Sequence, residues 1–135
     1  MTQVWERLFL GGLEDAERIA KSNPDRITTV LTLCPEKVGA RTRKVNYLHF
    51  PIPDERPVSQ SVFDSILDSL AENIRWGRVF VHCGAGINRG PIMIASFMDA
   101  CGYKNIDDAL EEIAGLRPIL DPSPVLLQSV KEYLR

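Results

Sequence analysis

The 135-residue chain has no long hydrophobic run, no excess of positive charge and few cysteines and histidines. Without an apolar stretch of about 20 residues the sequence offers no membrane-spanning helix, and we expect no membrane partner. Because the net charge is −2, no overall field attracts nucleic acid, and a ligand must be recognised locally. The three cysteines and two histidines show no metal-ligand spacing. We therefore expect a reduced, cytoplasmic, monomeric protein that needs no metal or cofactor.

What is present is a short loop in which a cysteine and an arginine lie six positions apart. The residues between Cys83 and Arg89 are Gly84, Ala85, Gly86, Ile87 and Asn88. The apolar run 79–81 precedes this loop, and a helix-like run begins at Pro91. A strand, a glycine-bearing loop and a helix N-terminus in that order direct backbone N–H groups and the helix dipole at one point. The pattern predicts an anion-binding site for a phosphate group.

The same loop can carry nucleophilic chemistry. A free thiol is mostly protonated at neutral pH and is a poor nucleophile. The loop amides, the helix dipole and the Arg89 guanidinium would all favour the Cys83 thiolate, and Arg89 can grip two phosphate oxygens as a planar fork. In-line attack by Cys83 on phosphorus would give a cysteinyl-phosphate intermediate that water later hydrolyses.

Two further residues are candidates for supporting roles. Asp54, in the proline-rich loop 51–57, could protonate the leaving group and then activate water, although Glu55 or a plain turn role for Asp54 are alternatives. His82 lies at the end of the strand before the loop, where it is more suited to supporting the loop by hydrogen bonds than to proton transfer.

The arrangement of apolar and turn-forming residues predicts the fold class. Strands are expected at 4–10 (or a hairpin there), 27–33, 45–50 and 78–82, alternating with helices and followed by further helices. Ser59 or Ser61, Asn105, and Pro122 or Ser123 are candidate starts of the later helices. This order predicts an α/β fold with a mostly parallel central sheet flanked by helices, formed as one domain by residues 1–135. The loop would then lie at the carboxyl edge of a central strand.

Residues 82–89 match His-Cys-x5-Arg, the signature of cysteine-dependent protein tyrosine phosphatases, and the chain resembles their small dual-specificity branch. Segments 5–12, 29–33, 51–54 and 117–118 also resemble that branch. The resemblance implies a protein tyrosine phosphatase-like fold and a phosphatase acting on phosphotyrosine, and also on phosphoserine or phosphothreonine, in protein or peptide substrates. It implies that Cys83 is the nucleophile, Arg89 the phosphate clamp and Asp54 the acid, with no metal.

Two positions depart from the usual pattern of this family and open alternatives. Gly90 stands where the family usually has a serine or threonine whose hydroxyl helps the sulfur leave, so we expect slow breakdown of the intermediate. Gly90 also motivates a phosphate-binding pseudophosphatase with weak activity. Asn88, directly before Arg89, resembles the residue at this position in RNA 5′-triphosphatases of the same superfamily. Nucleic acid would be a partner only if the protein were such a triphosphatase. The loop has no lysine, which disfavours highly charged inositol phospholipid head groups.

Several residues outside the loop carry weaker expectations. Cys34 ends a strand at the same sheet edge as Cys83, so it is either a buried structural thiol or a disulfide partner of oxidised Cys83. Cys101 and Trp76 are expected to pack in or beside the core. The cluster Arg41, Arg43 and Lys44 either approaches the phosphate site or is a solvated surface.

Overall fold

A computed structural model describes all residues 1–135 as a five-stranded sheet with helices on both faces. The strands are β1 (Thr2–Trp5), β2 (Leu8–Gly11), β3 (Thr29–Thr32), β4 (Asn46–His49) and β5 (Val79–His82). The helices are α1 (Leu13–Ile19), α2 (Gln60–Trp76), α3 (Arg89–Ala100), α4 (Ile106–Leu116) and α5 (Pro124–Tyr133). No helix is long and apolar enough to cross a membrane.

The sheet has the strand order β1-β2-β5-β3-β4, in which only β1 is antiparallel to its neighbour. The first predicted strand is therefore a hairpin of β1 and β2. Strand β5 enters the sheet last and lies between β2 and β3. The mostly parallel α/β architecture expected from the sequence is confirmed, and the loop after β5 is flanked by the segments that follow β2 and β3.

Alternation along the strands divides the core between the two faces. Leu8, Leu10, Val79 and Val81 join a cluster of 25 buried residues beneath α2 to α5, whereas Phe9 and Phe80 belong to a cluster of 8 beside α1. Helix α3 contributes to the larger cluster and is covered on nearly every side, so residues 90–98 are all buried. A buried helix in this position gives the loop at its N-terminus a rigid base.

The helix starts were predicted closely because they depend on local hydrogen bonds. The side chains of Ser59, Asn105 and Ser123 each accept a hydrogen bond from a backbone N–H in the first turn of α2, α4 and α5, respectively. Such caps satisfy donors that a helix leaves free, so they can be recognised from sequence.

The structure corrects two of the weaker expectations and decides between the alternatives for a third. Trp76, at the end of α2, is 79% exposed, with the Arg75 guanidinium 5.7 Å from its ring centroid. Cys101 is exposed at the C-terminal end of α3. Arg43 and Lys44 are exposed and precede the first residue of β4. They therefore lie at the amino ends of the parallel strands, opposite the loop, and form a solvated surface. Trp76 and Cys101 both lie at the C-terminal end of a helix, where the side chains are no longer covered by the core.

Candidate active site

The loop from Cys83 to Asn88 turns its carbonyl groups toward the surrounding protein. The Gly84 carbonyl accepts from Leu13 N–H (2.9 Å), and the Ala85 and Gly86 carbonyls accept from the Arg117 guanidinium (3.1 and 2.9 Å). The Ile87 and Asn88 carbonyls accept from the N–H groups of Asp121 (2.8 Å) and Ile92 (3.1 Å).

The backbone N–H groups of residues 84–88, by contrast, have no hydrogen-bond acceptor within the protein. The first N–H groups of α3 are also free, as helix geometry requires. A run of free amides backed by a helix N-terminus is the arrangement that binds tetrahedral anions. The loop therefore has the polarity that the sequence predicted.

Two glycine positions make this tight loop possible. Gly86 has a φ of +74°, and a Cβ there would lie 2.6 Å from the Gly11 carbonyl oxygen. A Cβ on Gly12 would lie 2.8 Å from the Gly84 carbonyl oxygen. The turn after β2 thus packs directly against the loop, and only glycine fits these two positions.

Cys83 and Arg89 lie together at the base of the loop. Cys83 is 2% exposed, and its Sγ is 3.9 Å from the point where a Cβ on Gly90 would be. Arg89 Nη1 donates to the Ile52 carbonyl (3.4 Å), and Nη2 is 3.7 Å from the Cβ position of Gly84. Thus the guanidinium lies between the proline-rich loop 51–57 and Gly84, the first residue of the anion-binding loop.

Asp54 is the acidic side chain that reaches this centre. Its Oδ1 is 3.4 Å from Arg89 Nε in an ion pair and accepts a hydrogen bond from Asn88 Nδ2 (2.7 Å). The Asp54 side chain is 60% exposed, whereas that of Arg89 is 12% exposed. Glu55, the alternative, is exposed and makes no hydrogen bond or ion pair with these residues.

His82 is buried beneath the loop and has both ring nitrogens occupied. Nε2 is 2.7 Å from Thr32 Oγ1, and Nδ1 is 3.1 Å from the Cys83 carbonyl oxygen. Because a carbonyl only accepts, Nδ1 carries the proton and Nε2 accepts from the Thr32 hydroxyl. Burial lowers the pKa of His82, so the neutral ring is favoured. These contacts leave no free nitrogen for proton transfer to a ligand.

Cys34 follows β3 at the same edge of the sheet and is fully buried. Burial, together with the contact of its thiol to the Glu36 carbonyl (3.5 Å), raises the pKa of Cys34 and favours the protonated thiol. A disulfide with Cys83 stays a prediction, and a buried protonated thiol is a slow partner for it.

Sequence reasoning missed several contacts that shape the site. No local pattern indicates that the Arg117 guanidinium binds two loop carbonyls and Thr2 Oγ1. The contacts of Thr32, Asp121 and Ser123 with the site are likewise absent from the local sequence. Each acts across more than 30 positions of the chain, a separation that no local pattern records. No group of three or more His, Cys, Asp or Glu side chains could hold a metal ion.

Comparison with known proteins identifies the family of this chain. Residues 13–125 match the family model described as "PTP-SAK: Swiss Army Knife protein, DSP-PTPase phosphatase domain". The chain therefore belongs to the dual-specificity phosphatase branch of the protein tyrosine phosphatase superfamily.

Similar proteins include human dual specificity protein phosphatase 15, which is 27% identical over 93% of this chain and 43% of its own length. Dual specificity protein phosphatase OPG106 of vaccinia virus is 31% identical over 73% of this chain and 58% of its own length. This chain thus spans about half the length of these two relatives. The crystal structure of DUSP15 has a TM-score of 0.84 at 26% identity, covering 99% of this chain and 86% of that one.

Proposed function

We propose that this protein is a phosphatase that hydrolyses phosphomonoesters through a cysteinyl-phosphate on Cys83. The observation that carries the proposal is the polarity of the 84–88 loop, whose amides are free while its carbonyls are bound to the protein. A phosphate in this loop would accept hydrogen bonds from the amides and from the Arg89 fork. It would lie above the buried Cys83 sulfur, in position for in-line attack.

The proposed reaction has two steps. The Cys83 thiolate bonds to phosphorus as the phosphorus–oxygen bond of the ester breaks, and Asp54 gives its proton to the leaving oxygen. In the second step Asp54 takes a proton from water, the resulting hydroxide bonds to phosphorus, and the sulfur–phosphorus bond breaks. Phosphate leaves, and the thiolate and protonated Asp54 are restored. We propose that residues 1–135 form one domain that performs both steps without a metal.

For substrates, we propose phosphotyrosine and phosphoserine or phosphothreonine in proteins, because relatives named dual specificity protein phosphatases match most of the chain. A structural neighbour, PTPMT1, has been crystallised in complex with PI(5)P, but at 19% identity (TM-score 0.80) it shares only the fold. The loop here has no lysine to meet a second phosphate, which favours protein substrates over inositol lipids. We further propose that the protein acts as a cytoplasmic monomer.

Asn88 no longer supports the RNA 5′-triphosphatase alternative. Its side-chain amide is bonded to Asp54 and to the Ser123 N–H, so it offers no free group to a polyphosphate. Asp54 in the site also favours a phosphate ester over a triphosphate end as the substrate, because the leaving group of an ester needs a proton.

The test is turnover of a small aryl phosphate and of phosphopeptides carrying tyrosine, serine or threonine phosphate. We expect vanadate-sensitive turnover that Cys83→Ser abolishes and that the matched control Cys101→Ser, at an exposed thiol, leaves unchanged. Asp54→Asn should lower kcat/KM for substrates with poor leaving groups by roughly 10²-fold or more, and Glu55→Gln should not. Tight phosphate binding without turnover would indicate a pseudophosphatase, and turnover only of triphosphate-ended RNA or PI(5)P vesicles would overturn the proposed substrate class.

A further inference from the structure

The side chain of Asn88 links three segments of the active site. Its Oδ1 accepts from Ser123 N–H (2.6 Å), and its Nδ2 donates to the carbonyl oxygen (2.5 Å) and to Oδ1 (2.7 Å) of Asp54. A backbone N–H can only donate and a carbonyl can only accept, so these partners fix which side of the amide is oxygen. With Asn88 only 6% exposed, both ends of its side chain are committed to the protein.

These contacts hold both the backbone and the side chain of Asp54. Asp54 lies in a loop without helix or strand, and most of its side chain faces solvent. A carboxyl in such a position would sample several rotamers unless it is tied to a fixed group. Asn88 is that group, because it lies in the anion-binding loop itself and is held from behind by the start of α5.

We propose that Asn88 is a positioning residue that aims the Asp54 carboxyl at the leaving-group oxygen, an inference that rests on the proposed function. Asn88 and Arg89 both engage Asp54 Oδ1, while Oδ2 has no hydrogen bond or ion pair in the protein. Oδ2 is therefore the oxygen that carries and delivers the proton. In the first step the proton moves from Oδ2 to the leaving oxygen as the phosphorus–oxygen bond breaks, and in the second it returns from water.

A neutral amide suits this task better than a second cation. Asn88 Nδ2 can donate to Oδ1 throughout, because that oxygen is an acceptor in the ionised and in the protonated acid. The tether thus persists while the charge changes.

The experiment compares two aryl phosphates that differ in their leaving group: phenyl phosphate, whose phenol leaves poorly, and 4-nitrophenyl phosphate, whose phenol leaves without much help. In Asn88→Ala we expect kcat/KM for phenyl phosphate to fall by roughly tenfold or more, with a much smaller loss for 4-nitrophenyl phosphate. The comparison uses kcat/KM because it reports the first chemical step even when breakdown of the intermediate limits kcat. Because the tether acts only through the acid, Asn88→Ala should add no further loss in an Asp54→Asn background.

A second variant and a matched control separate this role from a structural one. Asn88→Asp retains an acceptor for Ser123 N–H but places a carboxylate against Asp54, so it should show the same dependence on the leaving group even if Asn88→Ala is unstable. Asn105→Ala removes an asparagine that also bonds a backbone N–H and an aspartate, at the exposed start of α4. That variant should lower Tm without changing kcat/KM for either substrate.

Equal losses of kcat/KM on the two substrates, or losses of kcat/KM that add to those of Asp54→Asn, would overturn the positioning role while leaving the phosphatase proposal intact. No turnover of either substrate by the wild-type protein would instead overturn the proposed function and this inference with it.

Discussion

At the scale of single residues, Gly90 defines the surroundings of the sulfur. A Cβ at this position would lie 2.7 Å from Leu10 Cδ1, so the Leu10 side chain fills the space that a larger residue would need. The sequence predicted that a hydroxyl is missing beside Cys83. It could not predict that Leu10, from another strand, closes the gap, because that contact forms only when β2 pairs with β5.

Placing a hydroxyl beside the Cys83 sulfur therefore requires two substitutions, one at Gly90 and one at Leu10. We expect wild-type protein to show a burst of product followed by slow turnover, because Gly90 has no hydroxyl to donate a hydrogen bond to the departing sulfur. In a Leu10→Val background, Gly90→Ser should speed breakdown of the intermediate by about tenfold, the effect of about 1.4 kcal/mol. Pre-steady-state kinetics with an aryl phosphate measures both phases.

Gly90→Ala in the same Leu10→Val background is the control, since it fills the space but has no hydroxyl. If the serine and alanine variants break down the intermediate at equal rates, the missing hydroxyl is not what limits the wild-type protein.

A second residue-scale prediction concerns His82 and pH. Because burial lowers the pKa of His82 below its usual 6.5, the unfolded chain binds a proton that the folded protein does not. Stability conferred by the neutral ring is then present above pH 6.5 and is lost as the pH falls toward the folded-state pKa, by up to about 1.4 kcal/mol per pH unit. Urea unfolding between pH 7 and 5 should show this slope.

His82→Asn, which can still donate to the Cys83 carbonyl, provides the comparison. The carboxyls of Asp15 and Glu17 have pKa values lowered from 3.8 and 4.5, so they titrate below this window. An equally steep loss of stability in His82→Asn would show that another group is responsible.

At the scale of elements, the site depends on hydrogen bonds that other segments donate to the carbonyl groups of the 84–88 loop. The strands, the hairpin and the helix starts could be predicted from local patterns, and so could the order strand, loop, helix. The partners that orient the loop could not, because Leu13, Arg117 and Asp121 come from three different segments. Loop polarity is thus a property of the fold, even though the signature residues are local.

The Arg117 guanidinium should be needed for loop geometry although it does not face the phosphate. Arg117→Met would leave the Ala85 and Gly86 carbonyls without these donors, at a cost of about 1–3 kcal/mol in unfolding free energy. We expect kcat/KM for an aryl phosphate to fall by roughly tenfold or more, because the amides lose their alignment.

Arg43→Met is the matched control, since Arg43 is exposed at the opposite edge of the sheet and makes no ion pair with an acidic side chain. A similar loss of kcat/KM in both variants, or full activity in Arg117→Met, would contradict the role given to Arg117.

At the scale of the whole molecule, α5 holds the chain segment from Asp54 to Val58 at both of its ends. Ser123, at its start, binds Asn88 and through it Asp54, while Ser129 and Tyr133 bind the N–H (3.2 Å) and the carbonyl (2.6 Å) of Val58. The last helix of the chain therefore fixes a loop more than 60 positions earlier. Sequence patterns identified α5 only as an amphipathic helix.

Removing the hydrogen bond between Tyr133 and the Val58 carbonyl should lower the free energy of unfolding. Tyr133→Phe leaves the buried Val58 carbonyl without its donor, and we expect the free energy of unfolding to fall by about 1–3 kcal/mol. Tyr103→Phe, whose hydroxyl donates to Glu112 on the surface, should cost much less. Urea denaturation of the two variants would measure the difference, and equal losses would refute the attachment.

The most direct measurement of the central claim is rapid quenching of the protein with a phosphate-labelled aryl phosphate, followed by peptide mapping. Our account predicts a phosphoryl group on the sulfur of Cys83, formed at the rate of the burst and absent in Cys83→Ser. Turnover without any label on Cys83, or a label that maps to another residue, would contradict it.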